Sequence, residues 1–275
     1  MRIHAIETGQ VRIRPHQPRG AGPGVVRRLR PMLDRDWLDP LPILAWAIEH
    51  SDGLIVVDTG ETARAAAEPG YFPSWHPYFR RAVAIDVTPE EEIGPRLRAL
   101  GLDPADARWV VMTHLHTDHA GGLHHFRNAD IRLDAAELKA ASGLRGRLGG
   151  YLPNRWPSWF DPGTVAWERR AVGPFETSAR LVDGVTLLPT PGHTPGHLSV
   201  LVEDGPRRIL LAGDVTYSAE LLAEGVVDGV APSARRARES MRRVTALDAV
   251  VLPTHDPGSV ARLRAAQAEP TSGAA

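Results

Sequence analysis

The stretch Arg108–His119, RWVVMTHLHTDH, limits the possible folds of this chain more than any other. An apolar run stops abruptly at a tract holding His114, His116, Asp118 and His119. A short β-branched run of this kind reads as a strand buried on both faces, and such strands belong to sheets with helices packed outside. The polar tract then lies at the strand's C-terminal edge, where a turn can converge side chains that a straight strand or helix would keep apart. A lone histidine there is commonly an ordinary hydrogen-bonding residue. Four ligand-type side chains together point instead to a metal, and imidazole nitrogen with carboxylate oxygen suits Zn, Mn, Fe or Co.

The remaining pattern is that of one layered α/β unit. RIHAIETGQVRI near the start alternates like a strand. Ile43–His50 and Leu54–Asp58 form a hairpin pattern around Ser51, Asp52 and Gly53. Further strands are expected at GVTLLP from Gly184, HLSVLVE from His197, RRILLAGD from Arg207 and DAVVLPTHD from Asp248. Thr88-Pro89-Glu90-Glu91 is a capping pattern, so a helix should begin there, with Pro95 bending it before Gly101. Ser233–Leu247 is the clearest late helix, with Met241, Val244 and Leu247 on one stripe. Residues 12–35 are rich in Arg, Pro and Gly and read as an irregular excursion whose basic residues face water. Glu68–Arg81 is aromatic but broken by Gly and Pro, so it is expected as a folded loop, either ordinary packing or an apolar substrate wall. Residues 1–268 are expected to form a single catalytic domain, with 269–275 as a flexible tail.

Composition removes whole classes of chemistry. The chain has 12 His and no Cys, which excludes thiol nucleophiles, disulfides, thiolate iron–sulfur sites and Cys-rich zinc modules. A net charge of -1 gives no electrostatic footprint for nucleic acid. No apolar run approaches the roughly 20 residues of a membrane span. The start lacks the basic-then-apolar pattern of a secretion signal, so cytoplasmic residence is expected. No phosphate loop, H-E-x-x-H helix or G-x-S-x-G elbow occurs, which leaves metal-activated water as the available chemistry. His124 and His125 sit between Leu123 and Phe126 and read as packing around a turn. His197 reads as packing or as a partner of a ligand. Asp58 divides evenly between orienting a ligating histidine and accepting local backbone hydrogen bonds.

His114-Leu115-His116-Thr117-Asp118-His119 matches the H-x-H-x-D-H motif, and the chain resembles the metallo-β-lactamase superfamily. His193 in PTPGHTPGH, Asp214 in LLAGD and His255 in VLPTHD follow in that family's order. Within it the chain is most similar to N-acyl-homoserine lactonases, because Tyr217 stands three residues after Asp214. The resemblance implies an αββα sandwich, two mixed β-sheets flanked by helices. It implies two divalent ions, zinc first and otherwise Co, Mn or Fe. His114, His116 and His193 would hold one, Asp118, His119 and His255 the other, and Asp214 would bridge them. A hydroxide between the ions would open the lactone ring of a small acyl-lactone substrate, Asp118 would carry a proton to the departing oxygen, and Tyr217 would polarise the carbonyl. The alternatives are another lactonase, a carboxylesterase or phosphotriesterase, or a non-enzymatic metal-binding protein. Thr117 departs from the bulky aromatic of the best-known lactonases, which bears on acyl recognition. A homodimer is the assembly the resemblance suggests.

Overall fold

Alternate side chains of β2 (Leu41–His50) enter different cores. Leu44, Trp46 and Ile48 join one apolar cluster, whereas Ala45 and Ala47 join another. A strand apolar on both faces has to lie inside a sheet that is covered on both sides, and β2 does. It pairs antiparallel with β1 (Arg2–Ile13) and with β3 (Gly53–Val57), the latter across the Ser51-Asp52 turn. A computed structural model describes residues 1–268. In it, β4 (Val83–Asp86), β5 (Ala107–Val111), β6 (Asp130–Leu133) and β7 (Gly163–Thr164) complete a seven-stranded mixed sheet in the order β4-β1-β2-β3-β5-β6-β7. The second sheet has five strands, β8 (Ala179–Val182), β9 (Val185–Pro189), β10 (Leu198–Asp204), β11 (Arg207–Gly213) and β12 (Val250–Pro253), in the order β12-β11-β10-β9-β8.

Three apolar layers hold the sandwich. Between the sheets, Leu44, Trp46, Ile48, Ile55 and Val57 meet Val185, Val200, Leu211 and Leu252. Outside the first sheet, Ile93 and Leu97 of the helix Ile93–Ala99 cover Ala45, Val56 and Val110. Outside the second, Ala237, Met241 and Val244 of the helix Ala234–Thr245 cover Leu201 and Leu210. The αββα architecture expected from the sequence is therefore the one observed.

Strand direction decides where the site can be. β3 runs parallel to β5, and β11 runs parallel to β12. Parallel neighbours end at the same edge of a sheet, so the loops after these strands open on one side of the molecule. Asp58, the 114–119 tract, Asp214 and His255 all follow those strands.

Two local expectations need correction. Thr88 and Glu91 do form a capping box, but it closes only a 3₁₀ turn, Pro89–Glu91, and the α-helix starts afresh at Ile93. Pro95 falls in the first turn of that helix, where its missing N–H costs no hydrogen bond. The irregular excursion at 12–35 is also too simple, because Arg12 and Ile13 belong to β1 and Gly24–Leu33 is a helix. That helix turns Val25, Leu29 and Met32 toward an open cavity and not into a packed core, and Val25, Val26, Leu29 and Leu33 stay exposed. It is anchored by the buried Arg27, whose guanidinium donates to the carbonyls of Asp228 and Ala231. Periodicity cannot register a helix held by one arginine. The proposed tail at 269–275 lies outside the described residues.

Trp46 is fully buried between the sheets. Trp46→Ala should cost about 3–5 kcal/mol, read as a lower denaturant midpoint. An unchanged midpoint would place the main core elsewhere.

Candidate metal centre

The loop after β5 turns into a single helical turn, Thr117–Ala120, so the i, i+2, i+4 and i+5 side chains of the tract converge. His114 Nε2 lies 3.0 Å from His116 Nδ1, which lies 3.1 Å from His193 Nε2. His119 Nε2 is 3.3 Å from Asp214 Oδ1. His255 Nε2 is 3.4 Å from Asp118 Oδ2 and 3.5 Å from Asp214 Oδ2. The seven side chains singled out by motif thus form three overlapping sets of potential ligands, His114/His116/His193, His114/His119/Asp214 and Asp118/His119/His255.

The far side of each ring shows what its near side can do. His119 Nδ1 donates to Asp58 Oδ2 at 2.8 Å, and His255 Nδ1 donates to the Pro42 carbonyl at 2.9 Å. Thr113 Oγ1 donates to Asp58 Oδ2 and so accepts from His114 Nδ1 at 3.1 Å. In the neutral form of each ring these bonds place the proton on Nδ1, so the inward nitrogens carry lone pairs. Lone pair then faces lone pair with nothing to share, and His119 Nε2 and Asp214 Oδ1 are buried without any hydrogen-bond partner. A protein does not leave such groups uncompensated. The donor set therefore fits divalent cations, with the outer partners that ligating histidines characteristically have.

The electrostatics agree. Burial, then the neighbouring imidazoles His119 and His116, drive His114 well below the usual histidine range. Burial, with His193 next, takes His116 down to about 3. Burial would lower His119 and His255 too, but the Asp214 carboxylate outweighs it and holds both above the usual range. Burial would raise Asp214, yet His255 and His119 keep it well below the carboxylate range. The buried Glu61, pushed up to about 8 by burial, adds a neutral carboxyl beside Asp118. His114 and His116 thus stay unprotonated and ready to coordinate at neutral pH, whereas the carboxylates favour a positive charge at His119, His193 and His255, a charge that a bound cation would supply in place of the protons.

Above the centre is a cavity of about 310 Å³. His116, Asp118, His193, Asp214 and Tyr217 line its floor, and Thr117 leaves room there. Phe72, Tyr78 and Phe79 of the aromatic segment form one wall, and Val25, Leu29 and Met32 of the Arg27-anchored helix form another. Gln17 donates through Nε2 to Tyr78 Oη at 2.8 Å and Tyr217 Oη at 3.1 Å.

Several supporting residues escaped the sequence reading. Glu137 is fully buried; its carboxylate accepts from Leu115 N at 3.0 Å, Gly196 N at 3.1 Å and the Tyr151 hydroxyl at 2.8 Å, binding the His114–His119 turn to the loop that carries His193. In AAELKAA it looks like a solvent-facing helical glutamate. Asp228 Oδ2 lies 3.4 Å from His193 Nδ1. His197 is no part of the ligand sets: Nδ1 pairs with Thr190 and Nε2 accepts from Asp214 N at 2.9 Å. That last bond requires Gly213, with φ +57°, since a Cβ there would stand 2.7 Å from His197 Nε2. Of the two readings of Asp58, the carboxylate does meet a histidine, His119, whereas its backbone donor is Thr113 N, 55 residues away, and not a local amide.

Residues 38–255 match the metallo-beta-lactamase superfamily. The chain belongs to that superfamily. Membership implies divalent-metal binding. The chain is 35% identical over 184 residues to an N-acyl homoserine lactonase of a Bacillus species, a match covering 66% of this chain and 66%, just under two thirds, of that protein. It is 29% identical over 236 residues to N-acyl homoserine lactonase AttM of Rhizobium radiobacter, covering 82% and 86% of the two chains. A solved N-acyl homoserine lactone hydrolase, with N-hexanoyl-L-homoserine bound at its catalytic metal centre, shares the fold at a TM-score of 0.76, with 24% identity and 93% of each chain covered. Among the described residues no helix is long and apolar enough to cross a membrane.

Asp58→Asn places an amide donor against His119 Nδ1–H or Thr113 N–H. It should weaken metal retention about 10–100-fold in a chelator competition. Retention equal to wild type would remove Asp58 from the support of the centre.

Proposed function

We propose that this chain is a dinuclear metal-dependent hydrolase that opens the lactone ring of N-acyl-homoserine lactones. The observation that carries the reading is the cluster of five imidazoles and two carboxylates, of which His116, His193, Asp118 and Asp214 reach the floor of an apolar-walled cavity that also holds a phenol. The lactonase names of the relatives select the substrate among the esters and phosphoesters such a centre could attack. One ion would be held by His114, His116 and His193, the other by Asp118, His119 and His255, with Asp214 between them. Zinc suits this donor set first, and Co, Mn or Fe can use it.

When bound, two such ions supply Lewis-acid polarisation and a water acidic enough to act near neutral pH. The residues of the chain do the rest. Tyr217 is buried, and burial with the nearby Asp214 keeps its phenol protonated well beyond the ordinary range. Gln17 Nε2–H occupies a lone pair of the phenol oxygen, so the hydroxyl proton is free to point at a substrate carbonyl. Asp118 lines the cavity and is partly accessible, which places its carboxyl where it can pass a proton to the oxygen leaving the ring. The apolar walls take the acyl chain and keep bulk water from the floor.

The deciding experiment is a substrate panel with metal-loaded protein: acyl-homoserine lactones of several lengths, simple lactones, aryl esters and phosphotriesters. Preference for the acylated lactones is expected, and turnover confined to esters or phosphotriesters would overturn the substrate assignment. Tyr217→Phe should lower kcat/KM for the lactones by about 10²-fold with metal content kept, and equal activity would remove its role. Asp214→Ala should lose both metal and hydrolysis; retention of both would refute the bridge.

A further inference from the structure

Away from the cavity, the segment after the active-site turn builds a second nitrogen–oxygen cluster. Glu92 stands at the start of the helix Ile93–Ala99 without capping it. Its Oε1 accepts from the Thr62 hydroxyl at 2.9 Å and from Ala63 N at 2.8 Å. Those two donors leave Oε2 turned toward His124 Nε2 at 3.1 Å and His125 Nε2 at 2.8 Å. His124 Nδ1 donates to the Gly121 carbonyl at 3.2 Å, so in the neutral ring Nε2 is a lone pair aimed at a carboxylate oxygen. The His125 ring is seated on Gly94, where a Cβ would come within 2.4 Å of its Nδ1.

A neutral His124 therefore sets Nε2 against Glu92 Oε2 as two acceptors face to face, a contact that a shared cation resolves. The outer bonds are also those of prepared ligands: a histidine whose other nitrogen is bonded to a backbone carbonyl, and a carboxylate whose other oxygen is tied by donors. One oxygen and two imidazole nitrogens within 4.8 Å of one another favour Zn²⁺ over Ca²⁺ or Mg²⁺, which prefer all-oxygen sites. We propose that Glu92, His124 and His125 form a third divalent-metal site, separate from the catalytic centre and structural in role. The cavity above the catalytic centre is not lined by these residues, and His124 is half exposed, which leaves room for water to complete the coordination. The ion would tie the Gly121–His125 turn to Glu92 and, through Thr62 and Ala63, to the loop after β3 that carries Asp58.

The test is metal content after chelation and reloading of the full chain with Zn²⁺, by mass spectrometry, in wild type, His124→Ala, His124→Ala/His125→Ala and Asp214→Ala. The double variant should hold one ion fewer than wild type, lose the part of the Zn²⁺-dependent Tm rise that this ion supplies, and keep its lactone turnover. The single variant, altered at an exposed ring, should bind the outer ion more weakly in a chelator titration while folding normally by circular dichroism. Asp214→Ala should retain the outer ion even though the catalytic centre is emptied, so failure of the lactonase reading leaves this result standing. Equal zinc content and equal Tm response in wild type and a folded double variant would overturn the proposal and leave a protonated histidine pair on Glu92 as the account of the cluster.

Discussion

The carboxylate of Asp58 is the joint between fold and chemistry. It closes β3 in a left-handed backbone conformation, with φ 58°, which few side chains tolerate and which Asp adopts more readily than most. Its N–H donates to the Val111 carbonyl, continuing the β3–β5 ladder one step past the last strand residue. Its two oxygens then take three donors: Thr113 N, the Thr113 hydroxyl and His119 Nδ1. The register of two parallel strands is thereby converted into the orientation of His114 and His119. A buried carboxylate left with any of those donors missing would be costly, so the network specifies one arrangement.

A similar logic fixes the other half of the centre. Glu137 binds Leu115 N and Gly196 N, which come from different sheets, so the loop holding His193 cannot drift from the 114–119 turn. Asp228 reaches His193 from the loop whose carbonyl accepts from Arg27. The helix Gly24–Leu33, which supplies a cavity wall, is therefore fastened to the same loop that contacts a metal-facing histidine. Wall and floor share a support, and the shape of the substrate cavity follows from polar anchors more than from apolar packing at its rim.

This division explains what could be read from the sequence. Strands β5, β9, β10, β11 and β12 were legible because burial on both faces leaves unbroken apolar runs, and the centre was legible because its residues fall at fixed intervals after those runs. Glu137 and Arg27 were not, since a buried charged residue answered by backbone partners 59 or 201 positions away has the same local sequence as a solvated one. His124 and His125 read as packing from the sequence alone, because the carboxylate they face, Glu92, lies 32 and 33 residues earlier. Tertiary hydrogen bonds between distant segments leave no periodic trace.

Gln17 shows how far such a contact can determine chemistry. Its amide bridges Tyr78 on one wall and Tyr217 on the floor, and the turn that holds it is fixed by Gly229 N donating to the Gln17 carbonyl at 2.6 Å. Because Gln17 Nε2 can only donate, neither phenol can spend its proton on that nitrogen. Tyr78 is half-buried near Asp118, and desolvation, followed by that carboxylate, holds its phenol protonated. Two oriented phenols above a cationic centre would grip a polar headgroup at two points while the apolar walls accept a chain of variable length. For the proposed acyl-lactone substrate, recognition would then be strict at the ring and permissive along the tail, and that asymmetry would originate in Gln17, which lies outside the metal-binding motif.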